Sequence, residues 1–466
     1  YDRYVNAGNH VLQTLAMYAC AKLFGPSELS LRLFSLAALA LWLGTSIALV
    51  LRLSPNGLRR TAYFLLLQAN PFLYDLFSVA RGYGPAYALL FAGLVLYMFS
   101  GPPGERSLLT TLSIAWLASL AVLSNLMALY FFAAVVLALN VEHFLEGIAH
   151  RGEPAFKNHL AAILAVNTAA LFPAAVLAPL ILKLRMRQSF YFGGENGFVQ
   201  DTLTTVAATY DIPPGFWTYA ALGTGCLVFA CSAFLWLRSA ARRQGQTPEN
   251  RCFVILALVV VQIVAAFWLI GNRYPIQRTA LFLIPLFVPL VLFLLEKVSI
   301  ALGRHARVFS LALLLASCIP VGRIVWLSVC TPWFHSFPSE STVRKMMLAM
   351  ASDGRRSSIH GAVSVGLDWF LEPSINYYRA TMGLDWLAPA DRLGYLGCHE
   401  YFYEQRGWLD PEGTRMPRDD HEYIYMHESK WVPGVYSNRY VILENYPSSG
   451  YVLAKGIELV VTSHKP

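Results

Sequence analysis

Residues 252–296 read CFVILALVVVQIVAAFWLIGNRYPIQRTALFLIPLFVPLVLFLLE, two long apolar runs on either side of a short polar turn. A helix needs about 20 apolar residues to cross a hydrocarbon core of about 30 Å. The pattern therefore predicts two membrane-crossing helices joined by a turn that contains Arg273 and Arg278. Nothing alternates with the period of two that barrel strands show, so helices are the expected spanning element.

The same pattern repeats along most of the chain. The fold class that it predicts is mainly α, a polytopic transmembrane helical bundle. The boundary at Ser124 and Asn125 is predicted to be a tight turn, because residues 108–141 are too long an apolar stretch for one crossing. Ten passes are predicted, at 30–52, 59–79, 84–100, 108–124, 126–146, 160–184, 216–238, 252–271, 276–296 and 307–329.

Composition divides the chain into two parts. Of its 466 residues, 56% are hydrophobic and 14% are charged, which excludes a soluble multidomain protein. Residues 1–330 contain 23 basic and 12 acidic side chains, a net charge of +11, whereas residues 331–466 contain 13 and 16, a net charge of −3. We predict an outer loop with an interfacial helix at 1–29, a transmembrane domain at 30–330 and a soluble α/β or α+β domain at 331–466.

The positions of the basic residues predict both orientation and partners. Thirteen Lys and Arg lie in one set of interhelical loops and ten in the other set. Cytoplasmic loops are enriched in these residues, so the first set is assigned to the cytoplasm and the C-terminal domain to the extracytoplasmic side. The basic residues fall in short gaps between apolar runs and not on one soluble face, which argues against a nucleic-acid partner. The expected location is a bacterial inner membrane, with membrane lipids as neighbours.

Polar residues interrupt the apolar pattern in NPFLYDLFSVARGYGPAY, residues 70–87. Asp75 lies within an apolar run, and Arg81 and Tyr83 follow at a predicted helix end. Ionisable side chains in such places are costly to bury and are commonly functional. The structural alternative is a local ion pair between Asp75 and Arg81 that orients two helices.

Two further clusters lie on the same predicted side. One lies between two predicted helices and consists of Arg273, Tyr274 and Arg278. Arginines in this position can bind a phosphate through paired N–H groups. The structural alternative is a belt of aromatic and basic residues at the level of the lipid headgroups. Asn9 and His10 open the interfacial helix, where Asn9 as an N-cap is the structural alternative. The acidic residues of the loop between the sixth and seventh passes are predicted to be solvated, with contact to an acceptor as the alternative: Glu195, Asp201 and Asp211.

Four stretches together resemble the signature regions of the GT-C superfamily of polytopic glycosyltransferases. They are NAGNHVLQTL, GPSELSLRLFSL, NPFLYDLFSVARGYGPAYALL and YPIQRTALFLIPL, and the resemblance covers roughly residues 9–300. The pattern is most similar to the protein O-mannosyltransferase and lipid A aminoarabinose transferase type. One difference is that Val11 follows His10 where the family has proline.

The resemblance implies a function and a set of site residues. Such enzymes transfer a sugar, hexosyl or pentosyl, from a polyprenyl-phosphate carrier to a hydroxyl of a protein or glycolipid outside the cytoplasm. It implies that Arg81, Arg273 and Arg278 bind the donor phosphate, with Asn9, His10, Tyr83 and Tyr274 in support. Family members carry an essential acidic residue upstream of the histidine, and we expect it to precede this chain unless it is Asp2. Asp75 is the best visible catalytic candidate, and a divalent cation stays possible.

A transporter or lipid flippase is the alternative from another functional class. It predicts internal repeats and broken helices that meet at the middle of the membrane. No convincing repeat relates the two halves of residues 30–329, and the ionisable residues cluster at one end of the predicted helices.

Overall fold

The chain forms two compact units, Tyr1–Trp326 and Leu327–Pro466, in a computed structural model. The residues that the structure describes are 10–151, 154–186, 193–210, 212, 215–242, 246–330, 340–356, 363, 365–367, 371–390, 401–405, 440–446 and 451–456.

In its described residues the first unit consists of helices joined by short connections. The helices are α1 (Val11–Phe24), α2 (Glu28–Leu53), α3 (Gly57–Leu67), α4 (Pro71–Ser78), α5 (Tyr83–Phe99), α6 (Leu108–Ser124), α7 (Leu129–Ala149), α8 (Pro154–Met186), α9 (Thr204–Ala208), α10 (Phe216–Ala241), α11 (Pro248–Ile270), α12 (Ile284–Ala301) and α13 (Ala306–Cys330).

Most of the predicted passes correspond to long apolar helices. Within the described residues, seven helices are long and apolar enough to cross a membrane, or eight if the bent pair α4 and α5 is one span. Helix α6 is apolar as well and has 17 residues. The chain is thus a multi-pass membrane protein, as predicted, and α6 ends at Ser124 where the tight turn was expected.

The predicted pass at 59–79 is wrong as a single helix. Helix α3 ends at Leu67, and α4 starts at Pro71 with Asn70 as its cap, the Asn70 side chain accepting from the Leu73 N–H. A break inside the membrane is tolerated where protein groups bind the freed polar atoms. Gln68 lies at this break and is itself fully bonded, since its amide accepts from the Trp42 indole at 2.9 Å and donates to Ser46 at 3.2 Å.

Two buried glutamates hold the helix ends at the side where α2 ends and α3 begins. Glu142 of α7 contacts Arg106 at 3.0 Å and Arg251 at 3.9 Å. Glu296 of α12 contacts Arg59 at 3.2 Å. These three arginines belong to the loops that the sequence assigns to the cytoplasm. In the structure Arg59 lies on α3, Arg251 on α11 and Arg106 in a loop, and each forms an ion pair with another helix, so its charge serves packing as well as orientation.

The described part of the second unit combines two helices with a mixed sheet. The elements are α14 (Glu340–Arg356), α15 (Glu372–Thr381), β1 (Val365–Leu367), β2 (Tyr401–Gln405), β3 (Tyr440–Tyr446) and β4 (Tyr451–Gly456). The strand order is β1-β2-β4-β3, parallel between β1 and β2 and antiparallel elsewhere. Val343, Met346 and Met350 of α14 pack with Leu367 and Ile375 in its core.

Candidate active site

A sharp elbow between α4 and α5 organises one end of the membrane body. The two helices bend by 115° across residues 79–82. The Val79 carbonyl accepts hydrogen bonds from the Arg81 N–H at 2.8 Å and from the Ser35 hydroxyl of α2 at 2.9 Å. Gly82 has to be glycine for a packing reason, because a Cβ there would lie 1.9 Å from the Ser124 carbonyl oxygen. The elbow is therefore pressed against the turn that follows α6.

His10 packs into this elbow from the start of α1. Its side chain is buried, with 9% of the residue exposed, and its ring meets Tyr83 edge-on at a centroid distance of 5.1 Å. A Cβ on Gly82 would also lie 2.7 Å from the His10 Cβ and Cγ, which shows how closely the two residues approach. The structure thus brings His10 to the predicted Arg81–Tyr83 cluster.

His10 is neutral at pH 7. Burial, followed by the positive charge of Arg81, lowers the pKa of His10 to about 4, while its hydrogen bond to the Ser124 carbonyl has a smaller opposing effect and Arg278 lowers the pKa slightly further. The imidazole therefore adds no third positive charge to those of Arg81 and Arg278. A neutral ring of this kind offers a hydrogen bond and little basicity.

Arg278 reaches this region from the connection between α11 and α12. Its backbone carbonyl accepts a hydrogen bond from the Tyr87 hydroxyl of α5. Gln277, the preceding residue, has a φ of 47°, a left-handed conformation that non-glycine residues seldom adopt. Such strain persists where surrounding contacts impose it, and here the Gln277 N–H donates to the Thr205 hydroxyl at 3.1 Å.

Residues 193–210 form hydrogen bonds both to the connection between α11 and α12, which contains Arg273 and Arg278, and to the start of α4. The Thr202 hydroxyl donates to the Pro275 carbonyl at 2.8 Å, and Asn70, the cap of α4, donates to the Thr209 hydroxyl at 2.9 Å. The prediction that Asp201 is solvated is wrong. Its carboxylate is buried and accepts from the backbone N–H groups of Asn196 at 2.6 Å and Gly197 at 3.0 Å, so it shapes the segment.

Asp75 lies on α4, one helical turn before the elbow. Only 2% of the residue is exposed, so the carboxyl group is enclosed by protein. Because α4 is held at Asn70 by Thr209 and at Val79 by Ser35, the position of Asp75 is controlled from both ends of its helix. Burial on a short, doubly anchored helix is an arrangement that orients a side chain precisely.

Arg273 and Tyr274 have different surroundings from Arg278. The Arg273 guanidinium lies 2.6 Å from the carboxylate of Glu195, and both side chains are well exposed. The Tyr274 ring stacks on Phe267 at 4.3 Å, and its backbone pairs with Gly194 in an isolated bridge. These residues join segment 193–210 to the end of α11. Glu195, predicted to be solvated, is exposed and makes this ion pair.

The sequence-predicted residues are therefore only partly assembled. His10, Arg81, Tyr83 and Arg278 meet around the elbow, whereas Asp2, Asn9 and Asp211 lie outside the described residues. Sequence reasoning missed Gly82 as a contact residue and the Ser124 carbonyl as the partner of His10. Backbone acceptors leave no signature in a sequence, but the glycines in RGYG were a visible sign of close approach.

The described residues do not assemble a metal site at the elbow. No three His, Cys, Asp or Glu side chains converge anywhere in the part of the chain that the structure describes. Divalent cations are usually held in proteins by several oxygen ligands. The chemistry that these residues offer is anion binding by arginines and hydrogen bonding by a neutral histidine.

Comparison with known proteins finds two similar solved structures. Both are of ArnT from Cupriavidus metallidurans, one bound to undecaprenyl phosphate and one in the apo state. The sequence identities are 10% and 11%, the TM-scores are 0.47 and 0.42, and each match covers 96% of this chain and 88% of that chain. No protein-family model and no curated protein matches the chain.

Proposed function

We propose that this protein is a membrane glycosyltransferase that moves a hexosyl or pentosyl group from a polyprenyl-phosphate carrier to a hydroxyl of a protein or glycolipid. The observation that supports it most strongly is the packing of His10 against Tyr83 and Gly82 at the elbow that contains Arg81, with Arg278 bound to α5 through the Tyr87 hydroxyl. A lipid-linked phosphate lies at this level of a membrane, because its chain is in the hydrocarbon and its sugar is in water.

The charge balance of the reaction suits two arginines. The acceptor oxygen bonds to the anomeric carbon while the bond from that carbon to the phosphate oxygen breaks, and the electron pair leaves with the phosphate. The donor phosphodiester has one negative charge, and the released carrier phosphate has up to two. Cations placed where negative charge develops stabilise the transition state more than the ground state. Arg81 and Arg278 would provide this stabilisation, and Tyr83 would support the histidine.

The reaction also releases one proton from the acceptor hydroxyl. Asp75 is our candidate for the base or for the group that orients the acceptor, because it is a buried carboxylate on the helix that leads into the elbow. Asp2 is the second candidate for this role. The phosphate leaving group needs little protonation, so one carboxylate is sufficient.

Arg273 is proposed as an accessory donor contact, with Tyr274 in support. Its ion pair with Glu195 is exposed, and exposed pairs contribute only about 0–1 kcal/mol, so an incoming phosphate can compete for the arginine. We further propose that the elbow side faces away from the cytoplasm of a bacterial inner membrane, together with the C-terminal domain. The loops opposite the elbow contain the larger number of Lys and Arg.

Replacing Asp75 by Asn tests the proposed base. Transfer from undecaprenyl-phosphate-linked sugars is expected to fall by about 100-fold or more in the D75N variant, since general bases contribute factors of about 10² to 10⁴. Binding of undecaprenyl phosphate and insertion into membranes should persist. Replacing Glu146, a half-exposed carboxylate of α7 near the opposite side, by Gln is the matched control and should leave transfer unchanged. Wild-type turnover by D75N would remove Asp75 from the mechanism.

A further inference from the structure

Gln13 of α1 is a buried amide with both of its polar atoms unused. Only 2% of the residue is exposed, and neither its Oε1 nor its Nε2 has a hydrogen-bond partner among the described residues. Gln68 provides the contrast within the same helical unit. It is buried to a similar degree, yet its amide bonds to Trp42, Ser46 and Tyr74. Polar groups buried in native proteins are nearly always bonded, so the state of Gln13 requires an explanation.

The position of Gln13 associates it with the elbow. Gln13 is the buried residue of α1 and lies in its first turn, three residues after the cap His10. Helix α1 packs against α2 and α6, and His10 contacts the turn after α6. Asn125 in that turn has a second unused group, because its Oδ1 accepts from the Met127 N–H while its buried Nδ2 has no partner among the described residues.

We infer that the Gln13 carboxamide binds two neighbouring hydroxyls of the sugar that is transferred, and so determines sugar specificity. This inference rests on the proposed function. A carboxamide presents one acceptor and one donor side by side. Two adjacent hydroxyls present the complementary donor and acceptor, so both unused atoms of Gln13 are bonded when the sugar is bound.

A phosphate is a poorer partner for this amide than a sugar. Phosphate oxygens only accept hydrogen bonds, so a phosphate would bond to the Gln13 Nε2 and leave the Oε1 buried and unpaired. Arginines suit the phosphate better: Arg81 lies in the elbow, and Arg278 is bound to α5 through the Tyr87 hydroxyl. The two halves of a lipid-linked sugar would then be bound by separate groups, the phosphate by the guanidinium groups and the hydroxyls by the Gln13 amide.

Substituting Gln13 by Met tests whether Gln13 binds the sugar or the phosphate of the donor. The variant keeps the length of the side chain and removes both hydrogen-bonding atoms. Binding of full-length protein in detergent is measured for bare undecaprenyl phosphate and for a panel of undecaprenyl-phosphate-linked hexoses and pentoses. Q13M is expected to lose about 10- to 100-fold in affinity for the preferred sugar-linked carrier, as two neutral hydrogen bonds are lost. Its affinity for the bare carrier should not change, and Q13E should lie between Q13M and the wild type.

Stability measurements provide the matched control. Q13M should melt at or above the wild-type temperature, because an apolar side chain replaces an unbonded polar one. Q68M should melt lower, because it leaves the Trp42 indole unpaired, and its relative preference among the sugars should stay the same. A donor analogue that lacks one of the two hydroxyls should bind more weakly to the wild type but equally to Q13M.

Three results would overturn parts of this scheme, and they can be distinguished. If Q13M weakens binding of bare undecaprenyl phosphate as much as that of the sugar-linked forms, Gln13 contacts the phosphate and the sugar assignment is wrong. If Q13M binds every probe as the wild type does, Gln13 contacts neither. If the wild type binds no undecaprenyl-phosphate probe at all, the proposed function itself fails.

Discussion

Replacing Gly82 by Ala is expected to disrupt the elbow. Gly82 has φ −71° and ψ −1°, which alanine adopts easily, so backbone strain does not contribute. The added Cβ, however, would lie 1.9 Å from the Ser124 carbonyl oxygen, whereas real Cβ atoms do not come closer than 3.0 Å. The elbow and the Ser124 turn must therefore separate by about 1.1 Å, the difference between these two distances.

The expected cost combines two effects. Overpacking a closely packed site costs about 1–3 kcal/mol. The separation also breaks the hydrogen bond from the His10 ring to the Ser124 carbonyl, which contributes about 0.5–1.5 kcal/mol. Unfolding free energy should therefore fall by about 1.5–4.5 kcal/mol. Because a misplacement of about 1 Å costs about 100-fold in rate, sugar transfer should fall by a similar factor even where the protein stays folded.

The measurements are thermal unfolding in detergent and transfer from undecaprenyl-phosphate-linked sugars by the folded fraction. Gly44→Ala in the middle of α2 is the control, since an added Cβ there meets nothing within 4 Å. Alanine favours a helix over glycine by roughly 0.5–1 kcal/mol, so G44A should be as stable as the wild type or more so. If G82A matched G44A in both stability and transfer, the close packing of His10, Gly82 and Ser124 would play no part in function.

Three other perturbations test separate parts of the structure. The pKa of His10 is lowered from 6.5 in the unfolded chain to about 4 in the folded protein, so its contribution to stability is present above pH 6.5 and is lost as the pH falls towards 4. The melting temperature of H10Q should therefore change less than that of the wild type between pH 6.5 and pH 4. Glu142→Gln leaves two buried arginines without their carboxylate and should lower the unfolding free energy by about 3–5 kcal/mol in chemical unfolding experiments. The control is Glu146→Gln, at a half-exposed position one turn further along α7, which should lower it by less than about 1 kcal/mol. Arg278→Gln should weaken binding of undecaprenyl phosphate about 100-fold. Arg273→Gln should weaken it only several-fold, because the Arg273 guanidinium is exposed and already paired with Glu195. Equal losses of affinity in the two variants would place both arginines at the phosphate.

Much of the membrane body could be predicted from the sequence because hydrocarbon imposes a length on every apolar run. The error at 59–79 had a visible sign, since Asn70-Pro71 is a typical helix start inside an apolar stretch. The cytoplasmic assignment of basic loops is harder to judge from the sequence. Arg59, Arg106 and Arg251 count towards it, yet all three pair with glutamates of other helices, and Arg106 and Arg251 are buried.

The candidate site was predicted as three separate clusters of polar residues. The sequence indicated that they lie on the same side, because an even number of crossings separates them. It did not indicate that Arg278 binds Tyr87 of α5 while Arg273 pairs with Glu195, since residues five apart in one connection can have different neighbours. Asp201 was predicted to be solvated because its neighbours in sequence are polar. The backbone N–H groups of Asn196 and Gly197 come within reach of its carboxylate only when the segment is folded.

The sequence by itself determined that this protein crosses a membrane many times and that its ionisable residues gather at helix ends, because burial of apolar surface and the cost of buried charge act residue by residue. The tertiary structure decided which of those residues meet. The neutral state of His10, the unused amide of Gln13 and the close approach at Gly82 depend on how α1, the elbow and the Ser124 turn pack. These segments are far apart in the chain, and only their packing brings them together.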